Sequence, residues 1–65
     1  MQDPEITSRL EHLRVEHRDL DDAIAALLAQ ASPDQMQIAR LKRRKLRLRD
    51  EIALVEDQLI PDIIA

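Results

Sequence analysis

Glycine, cysteine, phenylalanine, tyrosine and tryptophan are all missing from this 65-residue chain, and each absence removes a class of function. Without glycine there is no phosphate-cradling loop of the Walker or dinucleotide kind, because those turns need backbone conformations and a close approach that only glycine permits cheaply. Without cysteine there is no disulfide staple, no thiolate metal site and no thiol redox chemistry, which excludes a secreted disulfide scaffold. Without aromatic rings there is no platform on which a base or sugar could stack. Long apolar runs are also missing. The start Met1-Gln2-Asp3-Pro4-Glu5 carries no secretory pattern, and the longest apolar run is too short to span a bilayer. These features lead us to expect a cytoplasmic protein with no membrane attachment.

What is present is charge and aliphatic side chains. Charged residues make up 35% of the chain, net charge is -3, and Leu, Ile, Ala, Arg, Glu and Asp dominate, a composition of long helices rather than of a sheet. A chain this short holds one domain at most and buries too little surface to be generously stable alone.

Asp3-Pro4-Glu5 reads as a helix start, with Asp3 able to accept from free first-turn amides, Pro4 at the first helical position and Glu5 facing the positive end. Apolar marks then fall at Ile6, Leu10, Leu13, Leu20, Ile24, Leu27 and Ala31, with His17 as the one polar member, in alternating steps of four and three. That alternation is a coiled-coil seam. Ser32-Pro33-Asp34-Gln35 punctuates the chain; Ser32 with Gln35 fits a capping box and Pro33 the first position of a new helix. A second seam follows at Ile38, Leu41, Lys45, Leu48, Ile52, Val55 and Leu59, with Lys45 as its polar member, and Pro61 ends it. The pattern predicts a single domain with a helix over 4–30, a turn over 31–33, a helix over 34–60 and an apolar tail over 61–65.

Folding one seam onto the other places Leu27 opposite Ile38, Ile24 opposite Leu41, Leu20 opposite Lys45 and His17 opposite Leu48. Leu13 then faces Ile52, Leu10 faces Val55 and Ile6 faces Leu59, so that every pair of residue numbers adds to 65. Agreement over so many layers predicts an all-α, antiparallel two-helix hairpin of coiled-coil type.

Seven of the ten basic residues lie between Arg40 and Arg49. In the folded register this block lies across from the acidic stretch around Glu16, Asp19, Asp21 and Asp22. Asp21 should sit beside Lys42 and reach towards Arg49, and Glu16 should reach towards Arg44. Arg40, Arg43 and Arg47 are left as an outward stripe. A solvated helix face is the first reading of such a stripe in an acidic chain. The alternative is an anion-binding contact, which would make the protein a small nucleic-acid-associated one using helix two.

His17 has Glu16 beside it and Glu51 across the same edge, yet the spacing matches neither the paired-His zinc motif nor the Glu-x-x-His pattern of di-iron bundles, since Arg9 and Arg14 stand three residues before His12 and His17. We read His17 and Lys45 as polar seam residues that set register at some cost in stability. No catalytic, cofactor-binding or metal residue is assigned, because two solid helices offer no site to orient a substrate. Ala39, Leu46, Ala53 and Ile60 recur every seven residues beside the main seam. A helix apolar on a second side packs on a second neighbour, so we expect a homodimer forming a four-helix bundle through Leu46, Ala53, Ile60, Ile63 and Ile64.

Glu16-His17-x-x-Leu20-Asp21-x-x-Ile24, followed by Leu41-Lys42-x-x-Lys45-Leu46-x-Leu48-Arg49-Asp50-Glu51-Ile52, resembles the small bacterial YdcH-like family, a domain of unknown function. The likeness runs over residues 10–55, with Arg49 standing where the family pattern has Lys. It implies a helical or coiled-coil hairpin and brings no catalytic residue or ligand with it. The functional expectation is a non-catalytic, self-associating protein-interaction module without a cofactor.

Overall fold

The structure is a computed structural model and describes residues 4–59. It consists of two helices of 25 residues each, α1 over Pro4–Leu28 and α2 over Gln35–Leu59. At 1.5 Å per residue each helix is about 37 Å long. Only residues 29–34 join them, and a linker of that length reaches at most about 20–25 Å when fully extended. It cannot carry the chain back along α1, so α2 returns antiparallel and the molecule is a rod of 51 × 22 × 15 Å.

The connection is twice as long as the three residues expected, and its chemistry differs from the predicted capping box. Ser32 does not cap α2. Asp34 does: its Oδ1 accepts hydrogen bonds from the amides of Met36 and Gln37, each at 3.1 Å, and its carbonyl receives the Ile38 amide at 3.0 Å. An aspartate at this place also complements the positive end of the helix, which a serine hydroxyl does less well. Moving the cap from Ser32 to Asp34 leaves Pro33 in the linker, where its missing amide costs nothing and its ring keeps Ser32 out of the helical region. At the other end, α1 closes with a tightened bond from the Gln30 amide to the Leu27 carbonyl at 3.2 Å. No described residue has the positive φ of a left-handed cap, so a three-residue bond does the work that glycine does elsewhere.

The buried side chains are all seam residues: Leu10, Leu13 and Ile24 from α1, with Ile38, Leu48 and Val55 from α2. Leu10, Leu13, Leu48 and Val55 form one cluster, and Ile6, Leu20, Ile52 and Leu59 pack against it. Ion pairs cross between the helices, Lys45–Asp21 and two that bracket the register. Arg9 meets Glu51 at 3.0 Å and Arg14 meets Glu56 at 2.8 Å; their residue numbers add to 60 and 70, symmetric about the 65 of the opposed seams. The Ile60, Ile63 and Ile64 tail lies outside the described residues.

Because Asp34 holds two first-turn amides, Asp34→Ala should lower stability by about 1 kcal/mol, while Ser32→Ala leaves the melting temperature unchanged. Thermal denaturation of the two variants checks this, and equal losses would return Ser32 to the capping role.

Candidate interaction surfaces

The two polar seam residues are half-buried rather than sealed in. Lys45 comes from a core position, but its aliphatic stem spans the seam edge and lets the ammonium reach Asp21 on the flank of α1. This ion pair replaces the expected neighbours of Asp21, Lys42 and Arg49. An ammonium leaving an apolar seam takes the first carboxylate at its edge, and Asp21 is that group. Hydrogen bonding from Lys45 holds the Asp21 carboxyl below its ordinary value of 3.8, with the positive charge of Lys45 and, more weakly, His17 acting in the same direction. Glu16 likewise forms no ion pair with Arg44 and lies 3.1 Å from His12, four residues back on its own helix. Glu51, expected beside His17, is instead held by Arg9. The carboxylates nearest the seam histidine are thus spoken for, and among the described residues no group of three or more His, Asp or Glu side chains gathers as a metal site would need.

Along one edge of the hairpin, Arg40, Arg43 and Arg47 line an open groove, and Arg44 joins them. Arg44 is a member the sequence reading paired with Glu16 instead. Its freedom follows from that pairing not forming. The floor is Leu13 and Leu48, and Glu16 and Glu51 stand on the same walls, so four guanidinium groups share the groove with two carboxylates. On the opposite edge a smaller hollow is bounded by His17, Lys42, Lys45, Leu46 and Arg49.

The second apolar stripe is uncovered. Leu46 is 50% exposed; Ala39 and Ala53, one heptad to either side of Leu46, are also exposed, while the exposed Leu54 lies off this line. Of the expected contact residues, the structure therefore places Leu46 and Ala53 together on the back of α2, while Ile60, Ile63 and Ile64 fall outside the described residues. Val15 and Leu28 on α1 are exposed as well, but lie apart from this stripe in sequence phase. No described helix is long and apolar enough to cross a membrane.

Comparison with known proteins agrees with the extent of the resemblance read from the sequence. A family model described as protein of unknown function (DUF465) matches residues 10–56, the stretch that holds the linker and all of both seams except the outermost Ile6 and Leu59. No curated protein and no solved structure matches the chain.

Two outcomes follow from the Asp21–Lys45 pair. Asp21 has a folded-state pKa below its unfolded one, so its contribution to stability is present above about pH 4 and is lost as pH falls through the folded value. Urea titrations between pH 2 and 6 should show a shallower pH dependence for Asp21→Asn than for the parent chain. Lys45→Leu should raise the melting temperature, since it fills a seam position and leaves behind only an exposed carboxylate; a lower melting temperature would mean the pair stabilises more than the packing it displaces.

Proposed function

The chain belongs to the DUF465 family of proteins of unknown function, and from that premise we propose that it is a non-catalytic, self-associating interaction module of the cytoplasm. The observation that carries the reading is the uncovered stripe on the back of α2, where Leu46 lies half-exposed between Ala39 and Ala53. The seam is already filled from within the chain, so this stripe is surplus to folding. Pairing two hairpins through this stripe gives a four-helix bundle as the working unit.

A second reading rests on the groove of Arg40, Arg43, Arg44 and Arg47, which would take a phosphate-bearing or otherwise anionic partner such as a nucleic acid. Glu16 and Glu51 in the same groove weaken its attraction for a polyanion, which is why this reading stands second. Binding to duplex DNA or RNA that falls steeply with salt would move it to first place.

For the leading reading, Leu46→Glu puts a charge in the middle of the stripe without touching the seam. Sedimentation should show loss of the assembly, and far-UV circular dichroism of the same sample should show the helicity retained. An assembly that persists unchanged would take the contact away from this face.

A further inference from the structure

We infer that the occupant of the stripe is α2 of a second copy, laid antiparallel about a two-fold axis that passes between Arg49 and Asp50. The inference rests on the self-association proposed above and adds its geometry. Three sets of residues on the back of α2 converge on one register. The apolar line supplies Leu46 and Ala53, and antiparallel pairing sets Leu46 of each copy against Ala53 of the other, a large side chain over a small one. The flank on the α1 side carries Lys42, Arg49 and Glu56, and the outer flank carries Arg43, Asp50 and Asp57.

In an antiparallel pair related by a two-fold axis, each flank meets its own copy. With Leu46 over Ala53, Lys42 then faces Glu56 of the second copy and Arg43 faces Asp57 of the second copy, each within about one residue, or 1.5 Å, of level. The symmetry repeats both contacts, giving four opposite-charge pairs. Slipping the pair by one heptad in either direction puts like charges opposite each other on one flank: Lys42 against Arg49, or Asp50 against Asp57. Charge therefore selects the register that the Leu-over-Ala packing also favours. At the axis Arg49 meets its own copy on one flank and Asp50 meets its own copy on the other. Within each chain these two groups lie 3.9 Å apart, close enough to offset that repulsion.

The groups this arrangement requires are available. Lys42, Arg43 and Asp57 are exposed and form no ion pair among the described residues, and Glu56 uses one oxygen, Oε2, on Arg14. The charge segregation of α2, basic up to Arg49 and acidic from Asp50 onward apart from neutral residues, is used in part inside the hairpin, by the Lys45–Asp21, Arg9–Glu51 and Arg14–Glu56 pairs, and leaves Lys42, Arg43 and Asp57 over. These are groups that an antiparallel encounter of two α2 helices needs.

The test is charge reversal with complementation, read by sedimentation equilibrium on the full chain. Lys42→Glu/Arg43→Glu should weaken dimerisation at least about tenfold, as should Glu56→Lys/Asp57→Lys, because each leaves like charges at all four contacts. An equimolar mixture of the two variants should recover association as a heterodimer. Asp57→Lys alone, which breaks no contact of the hairpin, should weaken association in a smaller step and guards against damage from loss of the Arg14–Glu56 pair. A dimer indifferent to all of these changes would overturn the antiparallel α2 geometry while leaving self-association standing. A parent chain that stays monomeric at millimolar concentration would remove both.

Discussion

The structure depends on one seam shared between two helices of the same chain. A linker of residues 29–34 that contains Pro33 is too short for α2 to pack parallel to α1, so α2 packs antiparallel, and the two heptad patterns meet in a register where, apart from His17 and Lys45, leucine, isoleucine and valine fill the layers. A rod two helices thick has no interior beyond that line. Among the described residues its six buried side chains, with Ile38 and Val55 each 3% exposed, make up the core. Everything else lies on a flank or on a back face, so the ion pairs serve chiefly to hold register: exposed pairs of this kind contribute about 0.2–1 kcal/mol apiece.

The seam explains how much could be read in advance. Periodicity predicts the two helices and their packing against each other, and every buried residue among those described belongs to the two seams, because a heptad pattern carries the same information in each of its layers. Arg9–Glu51 and Arg14–Glu56 are diagonal partners about the same register that the sequence reading does not anticipate, since it sets Glu51 beside His17. What was not legible depended on choices between near-equal alternatives. Ser32 and Asp34 both suit a cap, and the position of Pro33 relative to the helix start decides between them only when the linker geometry is known. Asp21 had three cations within reach, and took Lys45 because that residue's own position in the seam drives its ammonium outward. Glu16 had Arg44 across the groove and His12 on its own helix. Differences among such partners are smaller than the energy of any one of them, so sequence patterns do not resolve them.

The basic stretch from Arg40 to Arg49 takes on three distinct roles in the fold. Leu41 and Leu48 within it build the seam. Lys45 supplies the polar interruption and its pair with Asp21, while Arg40, Arg43, Arg44 and Arg47 line the groove on one edge. Lys42 and Arg43 are also half of the charge pattern on which the proposed contact between second helices rests. A run of cations that looks like a single feature is thus divided by helical phase among faces with different surroundings, and the functional question is which of those faces meets a partner.

The account turns on closure of the seam within one chain, and distance measurement across the open end tests that most directly. Spin labels on cysteines placed at Ser8 and Gln58, exposed positions outside the cross-helix ion pairs, report the closure without disturbing the core; the absence of native cysteine makes the labelling clean. Diluted into unlabelled protein, the pair should give a narrow distance distribution below about 25 Å, the span of two adjacent helices and their side chains. A distribution centred near 75 Å, the length of about 50 helical residues in a straight run, would mean that the chain stands open as one long helix and would contradict the hairpin.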